Sequence, residues 1–170
     1  MFQDKALFLS HTINISMQLH NDYKFLQKEA LWIIVDPWLT QPEKDQLEFL
    51  KLGIDINQHN NIFLDKLKHD LDFVKNIIVY QQASNPLHSF YTDYPRYSYI
   101  KQLGIDCKNY SHLVFCGMHY GMCVHSAVTR LQKELPDKNY YVKRDLCCLM
   151  PLHNPHQYDK DLLFHNIQII

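Results

Sequence analysis

Residues 113–124 read Leu113-Val-Phe-Cys-Gly-Met-His-Tyr-Gly-Met-Cys-Val124. An apolar run that ends at a glycine and leads into helical spacing is typical of a buried strand, a tight turn and a helix. The helix is predicted to end at Pro136, and residues 140–143 then form the next strand. The apolar positions that define the helix are Val124, Ala127, Val128, Leu131 and Leu135.

A second unit of the same kind lies earlier in the chain. Residues 30–35 form an unbroken apolar run that stops at Asp36-Pro37, and residues 77–80 form another. Strands that alternate with helices pair in parallel and carry helices on both faces of the sheet. We therefore predict a three-layer α/β/α fold with a central, mostly parallel, Rossmann-like sheet. The helix between these strands is defined by Ile62, Phe63, Lys66, Leu67, Leu71 and Val74.

The length of 170 residues fits a single domain. We divide it into an N-terminal lead-in (1–29), a core (30–150) and a C-terminal tail (151–170). Residues 81–109 are rich in Pro, Tyr and Ser, and one short helix is expected near 97–103. The tail ends in an apolar pattern, which often covers a sheet edge or a partner subunit.

Composition excludes several classes of protein. Hydrophobic residues make up 46% and charged residues 21%, as in ordinary globular domains, and the net charge is −1. Without a sustained basic face, nucleic acid is not an expected partner. No apolar run reaches the ~20 residues of a membrane span. The five cysteines lack paired CxxC spacing, which favours reduced thiols and a cytoplasmic protein.

Asp36 and Cys123 are the first candidates for chemistry. In an open parallel sheet, the carboxyl ends of the strands form the site. Asp36 follows one strand, and Cys123 begins the helix after Gly117, where the helix dipole favours a thiolate. Taken singly, an Asp before Pro can be a turn former and a Cys a small core residue. Both residues are expected at the same edge.

The segment 113–124, with its glycine, five intervening residues and Cys123-Val124, resembles the signature of the isochorismatase-like cysteine hydrolase superfamily. Residues 30–36 likewise resemble the opening strand of that family, which ends in the catalytic Asp. The resemblance covers roughly residues 30–150 and implies the isochorismatase-like hydrolase fold. Family members commonly form oligomers, so a homo-oligomer is expected.

The resemblance also implies roles for individual residues. Cys123 would be the nucleophile, Asp36 would take its proton, and backbone N–H groups of Cys123 and of His119 or a neighbour would form an oxyanion hole. A non-proline cis peptide is expected at about Met118-His119. His119 and Tyr120 are expected in the pocket wall. Trp38 is a candidate aromatic lid, with core packing as the other interpretation.

The sequence departs from the family at one catalytic position. The family carries a lysine in a segment like Lys-x-x-Tyr-Ser-x-Phe, whereas this chain has Tyr94-Pro-Arg-Tyr-Ser-Tyr-Ile100, with Tyr94 in place of the lysine. Arg96, Lys101 or His88 could supply the positive charge instead. A tyrosine donates a hydrogen bond but cannot lower a thiol pKa as a cation does.

No metal or cofactor is expected. The eleven histidines include no His-x-His pair, and the Asp-x-His element of metal-bearing family members is missing. The leading hypothesis is hydrolysis of an amide, imide or ureido C–N bond in a small molecule. Two alternatives stay open: an Asp-dependent hydrolase of the isochorismatase type, and a degenerate member that serves as a binding scaffold.

Overall fold

The first predicted strand of each unit lies at the centre of the sheet. The computed structural model describes residues 22–82, 84–104 and 106–170. In it, β1 (Leu31–Val35) pairs in parallel with β4 (His112–Met118). The pairing runs from Leu31 opposite Leu113 to Val35 opposite Gly117. Every residue of β1 is buried, as expected for a strand that is covered on both faces.

Across the described residues, the sheet has six strands, all parallel, in the order β3-β2-β1-β4-β5-β6. The chain moves outward from β1 to β3 and then returns to β4 on the other side of β1. Right-handed crossovers in opposite directions place helices on opposite faces, which gives the predicted α/β/α layers. The remaining strands are β2 (Ile77–Tyr80), β3 (Ser98–Ile100), β5 (Asn139–Cys148) and β6 (Gln168–Ile169).

Helices connect these strands. The longest, α3, begins after Asp55, whose carboxylate accepts a hydrogen bond from the Gln58 N–H at 3.0 Å. No described helix is long and apolar enough to cross a membrane. The helices are α1 (22–29), α2 (Glu43–Leu50), α3 (Ile56–Asp70), α4 (Ser89–Thr92), α5 (His125–Glu134) and α6 (His156–Phe164), with a 3₁₀ turn at Asp106–Asn109.

The short helix expected near 97–103 was wrong. Ser98–Ile100 instead forms β3, which pairs with β2 from Ser98 opposite Ile78 to Ile100 opposite Tyr80. Three residues carry too little periodicity to distinguish a strand from a helical turn. The hydrogen bonds offered by β2 decide the conformation, and they come from residues distant in sequence.

The tail covers a sheet edge, as one of its two interpretations predicted. Residues of β6 pair with β5, with Gln168 opposite Tyr141 and Ile169 opposite Val142. At the other end of the chain, the Trp32 indole N–H donates to the Leu26 carbonyl at 2.9 Å and fixes α1 to β1. The rest of the lead-in, residues 1–21, lies outside the described residues.

Candidate active site

Asp36 lies at the carboxyl end of β1, where the strand order reverses between β1 and β4. Such a switch point is where open parallel sheets bind their ligands. Asp36 is fully buried and has a φ of 44°, a backbone conformation that non-glycine residues seldom adopt. The Gln82 N–H donates to Asp36 Oδ1 at 2.6 Å, and the Asp36 N–H donates to the Tyr80 carbonyl at 2.9 Å. Residues at and beyond the end of β2 therefore orient the carboxylate.

Cys123 lies opposite Asp36, in a π-helical turn formed by Tyr120–Val124. The peptide bond between Met118 and His119 just before this turn is cis, which confirms the geometry expected there. The Cys123 thiol hydrogen-bonds the Asp36 carboxylate, and the backbone N–H groups of His119 and Cys123 are directed at the same sulfur. A thiol, a carboxylate and two backbone N–H groups thus meet at one point.

The electrostatics of this pair favour the protonated thiol. Burial and, next, the negative charge of Asp36 raise the pKa of Cys123 from its ordinary value of 9.0 to about 12. The two backbone N–H groups act in the opposite direction and lower that pKa, with a smaller effect. At neutral pH the sulfur therefore carries a proton, and this proton has an adjacent acceptor in Asp36.

His119 and Trp38 form a buried wall beside the thiol. Their rings meet edge to face, with centroids 5.8 Å apart, and His119 is only 1% exposed. His119 Nε2 lies 3.3 Å from Asn60 Oδ1, so the imidazole donates a hydrogen bond to this amide. Burial, followed by the nearby His59 and His153, lowers the pKa of His119 from 6.5 to about 4. His119 is therefore a neutral donor.

The neutral state of His119 predicts acid sensitivity. A folded-state pKa of about 4 against 6.5 in the unfolded chain contributes about 3 kcal/mol of stability above pH 6.5. This stability is lost as the pH falls from 6.5 to 4. Urea denaturation at pH 7 and pH 4 should show a smaller drop in the free energy of unfolding for His119→Gln than for wild type. The exposed His69→Gln is the control, and an equal drop in both variants would contradict the assignment.

No protein-family model matches the chain, and no curated protein matches it. Solved structures do. The YcaC gene product of Escherichia coli, an octameric hydrolase of unknown specificity, is 15% identical, with a TM-score of 0.53 over 84% of this chain and 74% of that chain. An isochorismatase-like hydrolase from Alkaliphilus metalliredigens is 11% identical, with a TM-score of 0.54 over 84% and 94%.

A third match is YcaC from Pseudomonas aeruginosa with hexane-2,5-diol and covalent acrylamide. It is 13% identical, with a TM-score of 0.52 over 84% of this chain and 75% of that chain. The chain has the isochorismatase-like hydrolase fold. At these sequence identities the likeness concerns the fold alone.

Arg96 lies at the opposite edge of this isochorismatase-like sheet, not beside Asp36, so the structure does not bring it to the site. Its guanidinium bonds the Asp72 carboxylate and the carbonyl oxygens of Leu71, Asp72 and Val74, each at 2.7 Å. These groups follow α3, and Arg96 lines a cavity with Leu31 and Ile77, where β1 and β2 begin. The last carbonyl oxygens of a helix have no partner within the helix, so they accept hydrogen bonds from a nearby guanidinium. Arg96 is therefore held at the end of α3 and not at Asp36.

Of the two loop residues predicted for the pocket, only His88 approaches the turn after Asp36, and it does so through its backbone. Tyr94 is 48% exposed and packs on Tyr97, with the Lys68 ammonium over its ring. The His88 N–H donates to the Pro37 carbonyl at 2.6 Å, which places the His88 backbone against the turn after Asp36. The His88 ring, however, caps α4 by accepting from the Phe90 N–H at 3.3 Å. Lys101 is exposed just past β3.

Tyr120 differs from its expected place in the pocket wall. It is fully buried and its hydroxyl donates to Asp159 on α6, while the Arg144 guanidinium lies 5.7 Å from its ring. Arg144 in turn bonds Asp159 at 3.0 Å. Tyr120 therefore fastens the nucleophile turn to α6. This orientation depends on contacts with the tail, which the local sequence does not reveal.

Two residues that sequence reasoning missed complete the site: Asn60 in α3 and Gln82 after β2. The polar run Ile56-Asn-Gln-His-Asn-Asn61 carries no signal that separates the buried Asn60 from its exposed and half-buried polar neighbours. Within the described residues, no group of three His, Cys, Asp or Glu side chains could hold a metal ion.

Proposed function

We propose that this chain is a cysteine hydrolase that cleaves the C–N bond of a small amide, imide or ureido compound. The observation that supports it is the convergence on Cys123 of an acceptor for its proton and of two backbone donors. Cys123 is also partly exposed, in contrast to the other four cysteines, which are buried. A reactive thiol has to be accessible as well as activated.

In the proposed mechanism, attack and proton transfer are coupled. With its pKa raised to about 12, the thiol loses its proton to Asp36 as the sulfur bonds to the carbonyl carbon. The carbonyl oxygen becomes an oxyanion beside the sulfur, and the N–H groups of His119 and Cys123 turn from the sulfur to this oxygen. Protonated Asp36 then gives its proton to the leaving nitrogen, which departs as an amine and leaves a thioester.

Hydrolysis of the thioester completes the cycle. Asp36 takes a proton from water, the hydroxide oxygen adds to the thioester carbon, and the same N–H groups hold the second oxyanion. Collapse of this intermediate breaks the C–S bond and releases a carboxylic acid. The Asp36 proton returns to sulfur. The cycle consumes one water and changes no oxidation state, so no redox partner is required.

The test is Cys123→Ala against a panel of primary amides, imides and ureido compounds, with release of ammonia or amine as the readout. Wild type should turn over at least one class, and the variant should lose more than 10²-fold in rate. Cys107→Ala removes a buried thiol elsewhere and is the matched control. Retained turnover in Cys123→Ala, with loss in Asp36→Asn, would favour the Asp-dependent isochorismatase type. An inert wild type whose Cys123 reacts no faster than the buried cysteines would favour the binding scaffold.

Homo-oligomerisation and a cytoplasmic location are part of the same proposal. The Escherichia coli YcaC product is octameric, and apolar side chains near the ends of β5 and the nucleophile turn stay exposed, among them Leu149, Leu152 and Met122. Apolar surface of this kind is typical of contact between subunits. The five free thiols fit a reducing compartment.

A further inference from the structure

We propose that Asn60 is a positioning residue that holds His119, and through it the backbone donor at the Cys123 sulfur, in place for the reaction. The proposal rests on the proposed function for its kinetic part. Asn60 belongs to α3, is 2% exposed, and contacts His119 and Cys148 beside the site. Its role would therefore be exerted through His119.

An asparagine at this buried helical position is unfavourable for stability unless its side-chain amide forms hydrogen bonds. Asparagine is a weak helix former, and a buried amide is unfavourable unless its hydrogen bonds are made. Asn60 Oδ1 lies 3.3 Å from His119 Nε2 and 3.6 Å from Cys148 Sγ. Cys148 ends β5, in register with Met118 at the end of β4. One side chain thus joins α3 to the carboxyl ends of two strands.

His119 transmits this contact to the nucleophile. Its backbone N–H is directed at the Cys123 sulfur. Its carbonyl accepts from the Met122 N–H at 3.0 Å and the Val124 N–H at 3.3 Å, which closes the turn around Cys123. The His119 ring is held by Trp38 on one side and by the Asn60 amide at Nε2. Without the amide, the buried Nε2–H loses its acceptor and the ring loses its fixed orientation.

Two consequences distinguish positioning from packing. First, kcat/KM should fall about 10²-fold in Asn60→Ala, since a small misplacement of a donor has an effect of this size. Second, the pH profile of Cys123 alkylation should move to higher pH, because the His119 N–H is one of the groups that lower the thiol pKa. Loss of packing alone would lower the melting temperature without moving this profile.

The experiment measures iodoacetamide alkylation of Cys123 by mass spectrometry from pH 7 to 11, together with amide turnover, in three variants. Asn60→Ala should show the shifted profile. Asn60→Gln, which keeps an uncharged amide oxygen as an acceptor for His119 Nε2, should restore alkylation to within about threefold of wild type. Asn61→Ala is the matched control, because the Asn61 side-chain oxygen has no hydrogen-bond partner within the part of the chain that the structure describes. If Asn60→Ala does not fold, Asn60→Ser, whose hydroxyl is too short to reach His119, replaces it.

The two proposals fail separately. An unshifted alkylation profile in Asn60→Ala or Asn60→Ser overturns the positioning role, whether or not the enzyme hydrolyses amides. A profile that is shifted in Asn60→Ala and restored in Asn60→Gln supports that role even if every amide in the panel is inert, and the proposed function then fails alone. A profile shifted equally in Asn61→Ala would also overturn the role, because the effect would then belong to α3 as a whole.

Discussion

Asp36→Asn should make Cys123 react faster with iodoacetamide while it slows turnover by orders of magnitude. The Asp36 charge is the second-largest cause, after burial, of the raised pKa of the Cys123 thiol. Asparagine removes this charge but keeps an oxygen for the Gln82 N–H. The thiol pKa should fall, so alkylation at pH 8 should rise about tenfold. Loss of the general base should lower turnover by about 10²–10⁴-fold.

Faster alkylation of Cys123 together with slower turnover in Asp36→Asn would identify Asp36 as the base. A variant that merely disturbed the site would slow both reactions. Alkylation is measured by mass spectrometry from pH 7 to 11, and turnover by release of ammonia or amine from the best substrate of the panel. Asp72→Asn, which changes a carboxylate at the Arg96 edge of the sheet, is the control for the substitution itself. Slower alkylation in Asp36→Asn would contradict the charge argument.

The raised thiol pKa also gives the missing family lysine a physical meaning. A cation beside the sulfur would lower the thiol pKa and favour a preformed thiolate. Here the largest effect of a charged group on that pKa comes from the negative Asp36, which raises it. The structure does not bring Arg96, the nearest sequence counterpart of that segment, to the site. We therefore expect a nucleophile that is activated during attack and not before it. Alkylation of wild-type Cys123 should accordingly keep rising above pH 9.

The sequence predicted those parts of the fold that depend on continuous apolar runs. The centre of the sheet, β1, β2 and β4, carries such runs and was placed within one or two residues. The sequence wrongly predicted a helix at the edge strand β3, because the conformation of this segment depends on its pairing with β2. Edges of a sheet are specified by distant partners, which local patterns do not contain.

The candidate site divides in the same way. Asp36 and Cys123 could be placed together because each follows a recognisable strand, and the carboxyl ends of parallel strands share an edge. Asn60 and Tyr120 could not, since their roles depend on what α3 and α6 contact: His119 in one case and Asp159 in the other. Arg96 matched a local sequence pattern, yet the end of α3 provides its partners.

Gly117→Ala should be the most damaging single substitution in the sheet. Gly117 has a φ of +110°, and a Cβ there would lie 2.4 Å from the Val35 carbonyl oxygen and 2.7 Å from the Val35 nitrogen. These are backbone atoms of a central strand, so rotation of a side chain cannot relieve the overlap. Positive φ costs about 1–2 kcal/mol, and the overlap raises the total to about 5 kcal/mol, in the range of severe core substitutions.

A loss of about 5 kcal/mol equals the whole stability of many domains. We expect Gly117→Ala to be insoluble or to melt more than about 10 °C below wild type. Gly53→Ala is the matched control, because Gly53 has a φ of +74° but a Cβ there would meet nothing within 4 Å. It should lose only the backbone contribution, about 1–2 kcal/mol. Equal melting temperatures for the two variants would contradict the close approach of β4 to Val35.

The damage should extend to the chemistry, because Val35 immediately precedes Asp36 and Gly117 precedes the turn that carries Cys123. Any separation of β1 from β4 at this pair moves the carboxylate away from the thiol. In whatever soluble fraction remains, Cys123 alkylation should lose its dependence on Asp36, so that Gly117→Ala and Gly117→Ala/Asp36→Asn react at the same rate at pH 8. A retained difference would show that the strands can part without opening the site.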